Sequence, residues 1–103
     1  MNSFNICIFG GTTEGRMFAE FLEANNIKAD LYIATTYGQQ FVKDLKNINI
    51  HQKRIDEKEM ISLFLEKKYD YIIDATHPFA KVVSENIVNA SKISGARYLR
   101  IIR

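Results

Sequence analysis

The chain has little of what several classes of protein need. A single cysteine, Cys7, cannot close an internal disulfide, and it stands inside an apolar run where a thiol serves as a small core residue. Two histidines, His51 and His77, lie far apart in sequence and far from Cys7, so no metal site is expected. No apolar run approaches the length that crosses a membrane. The N-terminus shows no basic segment and no cleavage site, so a signal peptide is not expected and a cytoplasmic location is. Lysine and arginine outnumber aspartate and glutamate by only 14 to 12, and Lys53-Arg54 and Lys67-Lys68 are the only adjacent basic pairs. That is no stripe for nucleic acid. There is no Gly-x-Ser-x-Gly nucleophile turn. No tyrosine has a lysine four residues on, which argues against a sugar-nucleotide epimerase. The first strand ends without the acidic pair of a phospho-acceptor receiver domain.

What is present is an ordinary globular composition, 47% hydrophobic and 25% charged, in 103 residues: one domain with room for a core. Strand-like and helix-like segments alternate. Residues 4–9, 30–36, 48–52, 69–75 and 97–102 read as strands. A helix over 14–26 places Met17, Phe18, Phe21 and Leu22 on one face. A short helix is expected over 39–45. Asp56 and Glu59 form an Asp variant of the capping box for a helix with Met60, Ile61, Phe64 and Leu65 inward. Pro78 suits the first turn of a last helix, with Val82, Val83, Ile87 and Val88 inward and Gly95 at its end. Such alternation implies βαβ units with right-handed crossovers. The expected fold is α/β, a Rossmann-like open parallel sheet of five strands in order 3-2-1-4-5 with helices on both faces.

In such sheets ligands bind at the loops leaving the carboxyl ends of strands. Two of these loops carry chemistry. Gly10-Gly11-Thr12-Thr13-Glu14-Gly15-Arg16 departs from the usual dinucleotide pattern, because its glycines fall at positions one, two and six. Gly10 and Gly11 can still bring backbone near a phosphate, and Gly15 can let helix and strand pack closely. Thr12 and Thr13 supply hydroxyls beside a helix N-terminus. The plain alternative is a tight turn with Thr13 as N-cap. Arg16 either meets an anion or pairs with Glu20 one turn on. After the second strand, Ala34-Thr35-Thr36-Tyr37-Gly38 holds no carboxylate for a ribose, which leaves NADH and NADPH both open.

The second loop is Asp74-Ala75-Thr76-His77-Pro78-Phe79-Ala80. The imidazole of His77 can donate a proton or hold a carboxylate. Its plain alternative is a helix cap, and that of Asp74 is a loop anchor. His51, beside Gln52, Lys53 and Arg54, is expected in solvent.

These two loops, with Ala34-Thr35-Thr36-Tyr37-Gly38 and Tyr98-Leu99-Arg100-Ile101-Ile102-Arg103, resemble the precorrin-6A reductases of cobalamin biosynthesis, in the same order and spacing along the whole chain. The resemblance implies reduction of one double bond of a tetrapyrrole, precorrin-6A or its cobalt form, by hydride from NADPH or NADH. It places Gly10, Gly11, Thr12, Thr13, Gly15, Arg16, Thr35 and Thr36 at the cofactor. It places Thr76, His77 and Phe79 on the substrate side, with His77 the catalytic candidate. Family enzymes are about twice this length, with two α/β halves. Residues 1–103 are therefore expected to be the nucleotide-binding N-terminal half, inactive without the second. The alternative reading is a non-catalytic nucleotide-binding regulatory module of the same fold.

Overall fold

The computed structural model describes residues 4–34 and 45–102. Thr35 and Thr36, and nearly all of the short helix expected over 39–45, lie outside the described residues. Eight elements follow in the order β1 (Ile6–Phe9), α1 (Thr13–Ala24), β2 (Ala29–Ile33), β3 (Ile48–Gln52), α2 (Glu57–Lys67), β4 (Tyr71–Asp74), α3 (Lys81–Ser94) and β5 (Arg97–Arg100). The strands form one sheet in order β3-β2-β1-β4-β5, and every pair is parallel. This is the expected order.

β1 and β2 are buried along their whole length, as a parallel sheet covered on two faces requires. On one face Ala19 and Leu22 of α1 pack with Ile6, Ile8, Leu31 and Ile73. On the other, Met60 and Phe64 of α2 and Ile87 and Ala90 of α3 pack with Cys7, Phe9 and Ile72. Burial pushes the Cys7 thiol well above its usual range, and the Asp30 charge adds to that shift.

Sequence signals place several helix ends. Asp56 and Glu59 make the reciprocal capping box, with both bonds formed at 2.8 and 2.9 Å. Gly95 ends α3 at φ +83°, a conformation that suits glycine. Other expectations need correction. Thr12, not Thr13, caps α1, and Thr13 is its first residue. Phe4 precedes the first strand and is exposed. Pro78 lies in a turn ahead of α3 rather than in its first turn, and the amide of Ala80 donates to the carbonyl of His77 at 2.9 Å to close that turn.

The inward faces are narrower than the apolar spacing predicts. α1 meets the sheet through Gly15, Ala19 and Leu22, spaced by four and three residues, and Met17 and Phe21 flank that stripe in solvent. Small residues allow a close approach, which leaves the larger neighbours outside the contact. Leu65 is likewise exposed. In α3 the buried stripe begins only at Ile87, so Val82 and Val83 in the first turn are exposed. Among the described residues no helix is long and apolar enough to cross a membrane.

Candidate functional site

β1 and β4 are neighbours at the centre of the sheet, so the loops that leave them are adjacent. At the first, the amide of Gly10 still donates to the Tyr32 carbonyl at 2.9 Å, extending the pairing of β1 with β2. The chain then turns at Gly11, whose φ of +113° is open to glycine and costly for other residues. A Cβ there would project into open space. Thr12 follows as the N-cap. Its hydroxyl accepts from the Gly15 amide at 3.2 Å and donates to the Ala75 carbonyl at 2.6 Å. One side chain thus caps α1 and ties its start to the end of β4. Gly15 is required by space: a Cβ there would stand 3.2 Å from both the Ala75 Cβ and the Gly10 Cα. Arg16 pairs with Glu20 at 3.4 Å, the intrahelical partner expected at i+4.

The second loop is organised around Asp74, fully buried at the end of β4. Its carboxylate accepts from the Thr76 amide at 3.1 Å, the Thr76 hydroxyl at 2.7 Å, the Tyr98 hydroxyl at 2.7 Å and the Arg100 guanidinium at 2.7 Å. Burial alone would raise the Asp74 pKa, but donated hydrogen bonds from Ser84, Thr76 and Tyr98 outweigh it and hold the carboxyl below its ordinary value. Tyr98 is correspondingly pushed up to about 12, by burial first and by Asp74 second. Arg100 Nη1 also reaches the Asp74 carbonyl at 3.3 Å and the Thr76 hydroxyl at 3.1 Å.

Beyond this anchor the loop is open. His77 and Phe79 are exposed, Phe79 at 84%, with ring centroids 5.1 Å apart. His77 Nδ1 accepts from the Phe79 amide at 3.2 Å. That bond assigns the ring proton to Nε2. α3 has no side-chain cap, so His77 does not serve as one.

The structure brings Gly10, Gly11, Thr12, Thr13, Gly15 and Arg16 to one turn, and Thr76, His77 and Phe79 to the loop beside it. The second-strand residues Thr35 and Thr36 lie outside the described residues. Sequence reasoning missed the partners of Asp74. Tyr98 and Arg100 stand two apart on β5, so both side chains leave one face of the strand, toward a carboxylate that no local partner neutralises.

His51 is also placed differently from expectation. It is half-buried, stacked on Tyr32 with centroids 4.5 Å apart, and 3.3 Å from the Asp30 carboxylate, which also accepts from the Tyr69 hydroxyl. An acid on the sheet face, not the basic neighbours Lys53 and Arg54, decides its position.

The model of the family described as precorrin-6x reductase CbiJ/CobK matches residues 5–103. A cobalt-precorrin-6A reductase of Salmonella typhimurium is 31% identical over 103 residues, 97% of this chain and 39% of that protein. One of Methanococcus maripaludis is 33% identical over 101 residues, covering 96% and 40%. The chain spans about two fifths of the length of the curated relatives it matches. Among solved structures, the precorrin-6A reductase CobK is similar with a TM-score of 0.83 at 24% identity, over 97% of this chain and 39% of that one. The Bordetella bronchiseptica enzyme WbmH, solved with NAD+, has a TM-score of 0.77 at 19% identity, over 92% and 37%. At these identities the structural likenesses establish the fold.

Proposed function

The chain belongs to the precorrin-6x reductase family, and from that premise we propose that it is the nucleotide-binding N-terminal part of a cobalt-precorrin-6A reductase. The reaction is reduction of one double bond of the tetrapyrrole with NADH or NADPH. The observation that carries this reading is the adjacency of the two loops, tied by the bond from Thr12 to Ala75.

The first loop fits a dinucleotide. Gly11 leaves main chain uncovered at the start of α1, where helix amides and dipole favour an anion. A bound nicotinamide supplies hydride. Both hydrogen-bonding roles of the Thr12 hydroxyl are already taken, so Thr12 acts as a strut that fixes the turn. The amides of Gly10 and Gly15 are already bonded to the Tyr32 carbonyl and the Thr12 hydroxyl, so phosphate contact falls to the main chain of Gly11 and Thr13, with the Thr13 hydroxyl and Arg16 at the margin. Thr35 and Thr36, outside the described residues, are assigned to the cofactor on the family resemblance alone.

Thr76, His77 and Phe79 face the macrocycle. Phe79 offers an exposed apolar ring to a large flat ligand. His77 offers an Nε2–H donor. Protonating Nδ1 as well would break its bond from Phe79, so the resting geometry favours His77 as a hydrogen-bond donor to a substrate carboxylate.

Titration of the chain with NADH and NADPH, followed by nicotinamide fluorescence, is the direct test. Saturable binding is expected, weakened about tenfold in a folded Gly11→Ala variant, whose added Cβ enters the ligand space. No binding of either nucleotide sinks the reading. Binding without reduction of cobalt-precorrin-6A by the product of the complete reading frame would leave the non-catalytic module instead.

A further inference from the structure

We propose that Arg100 is a substrate-binding residue, and that the Nε–Nη2 edge of its guanidinium takes a carboxylate of the tetrapyrrole. This rests on the reductase reading above and adds a residue to its substrate side.

The arrangement of Arg100 is unusual for a structural ion pair. All its hydrogen bonds run through one nitrogen: Nη1 donates to the Asp74 carboxylate at 2.7 Å, the Asp74 carbonyl at 3.3 Å and the Thr76 hydroxyl at 3.1 Å. Nε and Nη2 meet no partner among the described residues. No fully buried side-chain nitrogen or oxygen among the described residues lacks a hydrogen bond, so neither atom is counted as sealed and unpaired. The Nε–Nη2 edge presents two parallel N–H groups, the fork that matches a carboxylate in bidentate geometry.

The edge is also held in place. Asp74 is fully buried, and Arg100 is 23% exposed at its side chain. Asp74 does not consume the whole guanidinium, because Tyr98 and Thr76 supply its other donors. The result is a part-exposed cation oriented by a buried anion, with its Nε–Nη2 edge left out of that pairing. Its place at the carboxyl end of the sheet is where ligands of this fold bind. Through the bond to Thr76 it is joined to the loop that presents His77 and Phe79. A macrocycle bearing several acidic side groups has a carboxylate to offer each donor on that rim.

The test uses the product of the complete reading frame, with KM for the cobalt form of precorrin-6A, KM for the nicotinamide nucleotide, kcat and Tm measured together. Arg100→Lys keeps a cation for Asp74 but loses the fork, so it is expected to fold and to raise the tetrapyrrole KM about tenfold. Arg100→Gln is expected to raise it further, with the nucleotide KM unchanged in both. Tyr98→Phe removes a different donor from Asp74 and leaves Arg100 its edge; its Tm is expected to fall while the tetrapyrrole KM stays within twofold. A tetrapyrrole KM near wild type in folded Arg100→Lys and Arg100→Gln overturns the proposal and leaves the reductase reading intact. So does a parallel change in both KM values, which marks a merely structural role. A wild-type protein that does not reduce the tetrapyrrole overturns the reading itself, and this inference with it.

Discussion

The turn after β1 and the loop after β4 sit side by side and are built on opposite principles. The first is made of space. Gly11 exposes backbone, Gly15 leaves out a Cβ that would stand 3.2 Å from Ala75 and Gly10, and one hydroxyl holds the turn to its neighbour. The second is made of charge. A buried carboxylate gathers donors from its own loop and from β5, and this fixes a segment whose tip is in solvent. An open backbone receives an anion through amides. A charge-anchored loop presents side chains. In the function proposed above, the pairing divides recognition into a main-chain half and a side-chain half.

If the second loop rests on charge, its anchor is the most costly residue to remove. Asp74→Ala strands the Tyr98 hydroxyl and the Arg100 Nη1, and should destabilise by about 3–5 kcal/mol, read from denaturant unfolding. The pH dependence carries the same signature. The folded carboxyl of Asp74 lies below its ordinary value, so its stabilisation is complete above the unfolded pKa of about 4 and is lost as pH falls through the folded value. The phenol of Tyr98 is shifted the other way, so its stabilisation holds below its unfolded pKa of about 10 and is lost as pH rises through about 12. In Asp74→Ala the acid limb due to this group should vanish. An unchanged acid limb would mean that the anchor is not electrostatic.

If the first loop rests on space, volume is its weak point. Gly15→Val must push apart β4 and the turn, and should cost about 1–3 kcal/mol, with nucleotide affinity falling alongside. A cost above that of Asp74→Ala would reverse the contrast. The smallest effect on stability belongs to His77→Ala, within about 0.5 kcal/mol because the side chain is exposed. Turnover by the complete gene product should nonetheless drop about tenfold or more, at unchanged nucleotide affinity. Normal turnover with a lowered Tm would remove His77 from the site.

The part of this contrast made of space was legible in the sequence, because glycines and a strand–helix junction are local signals, although the capping hydroxyl is that of Thr12 and not the expected Thr13. So were the five alternating strands and the capping box at Asp56. The part made of charge was not. Asp74 and Arg100 are paired by the register of β4 with β5 across an intervening helix, and no short window contains both. The same limit hid His51, whose position is set by Asp30 on the neighbouring strand. Periodicity overstated the inward faces of α1 and α3 because it marks a stripe without saying how closely the helix approaches the sheet.

The lone thiol of Cys7 has a practical consequence. It lies in the central strand, fully shielded, and its pKa is raised by burial, so the folded protein presents almost no thiolate to an alkylating reagent. Labelling then waits on separation of the sheet, and its rate counts those openings while passing over any movement of the two loops. The chain carries its own clock for the scaffold, independent of the surface it holds up.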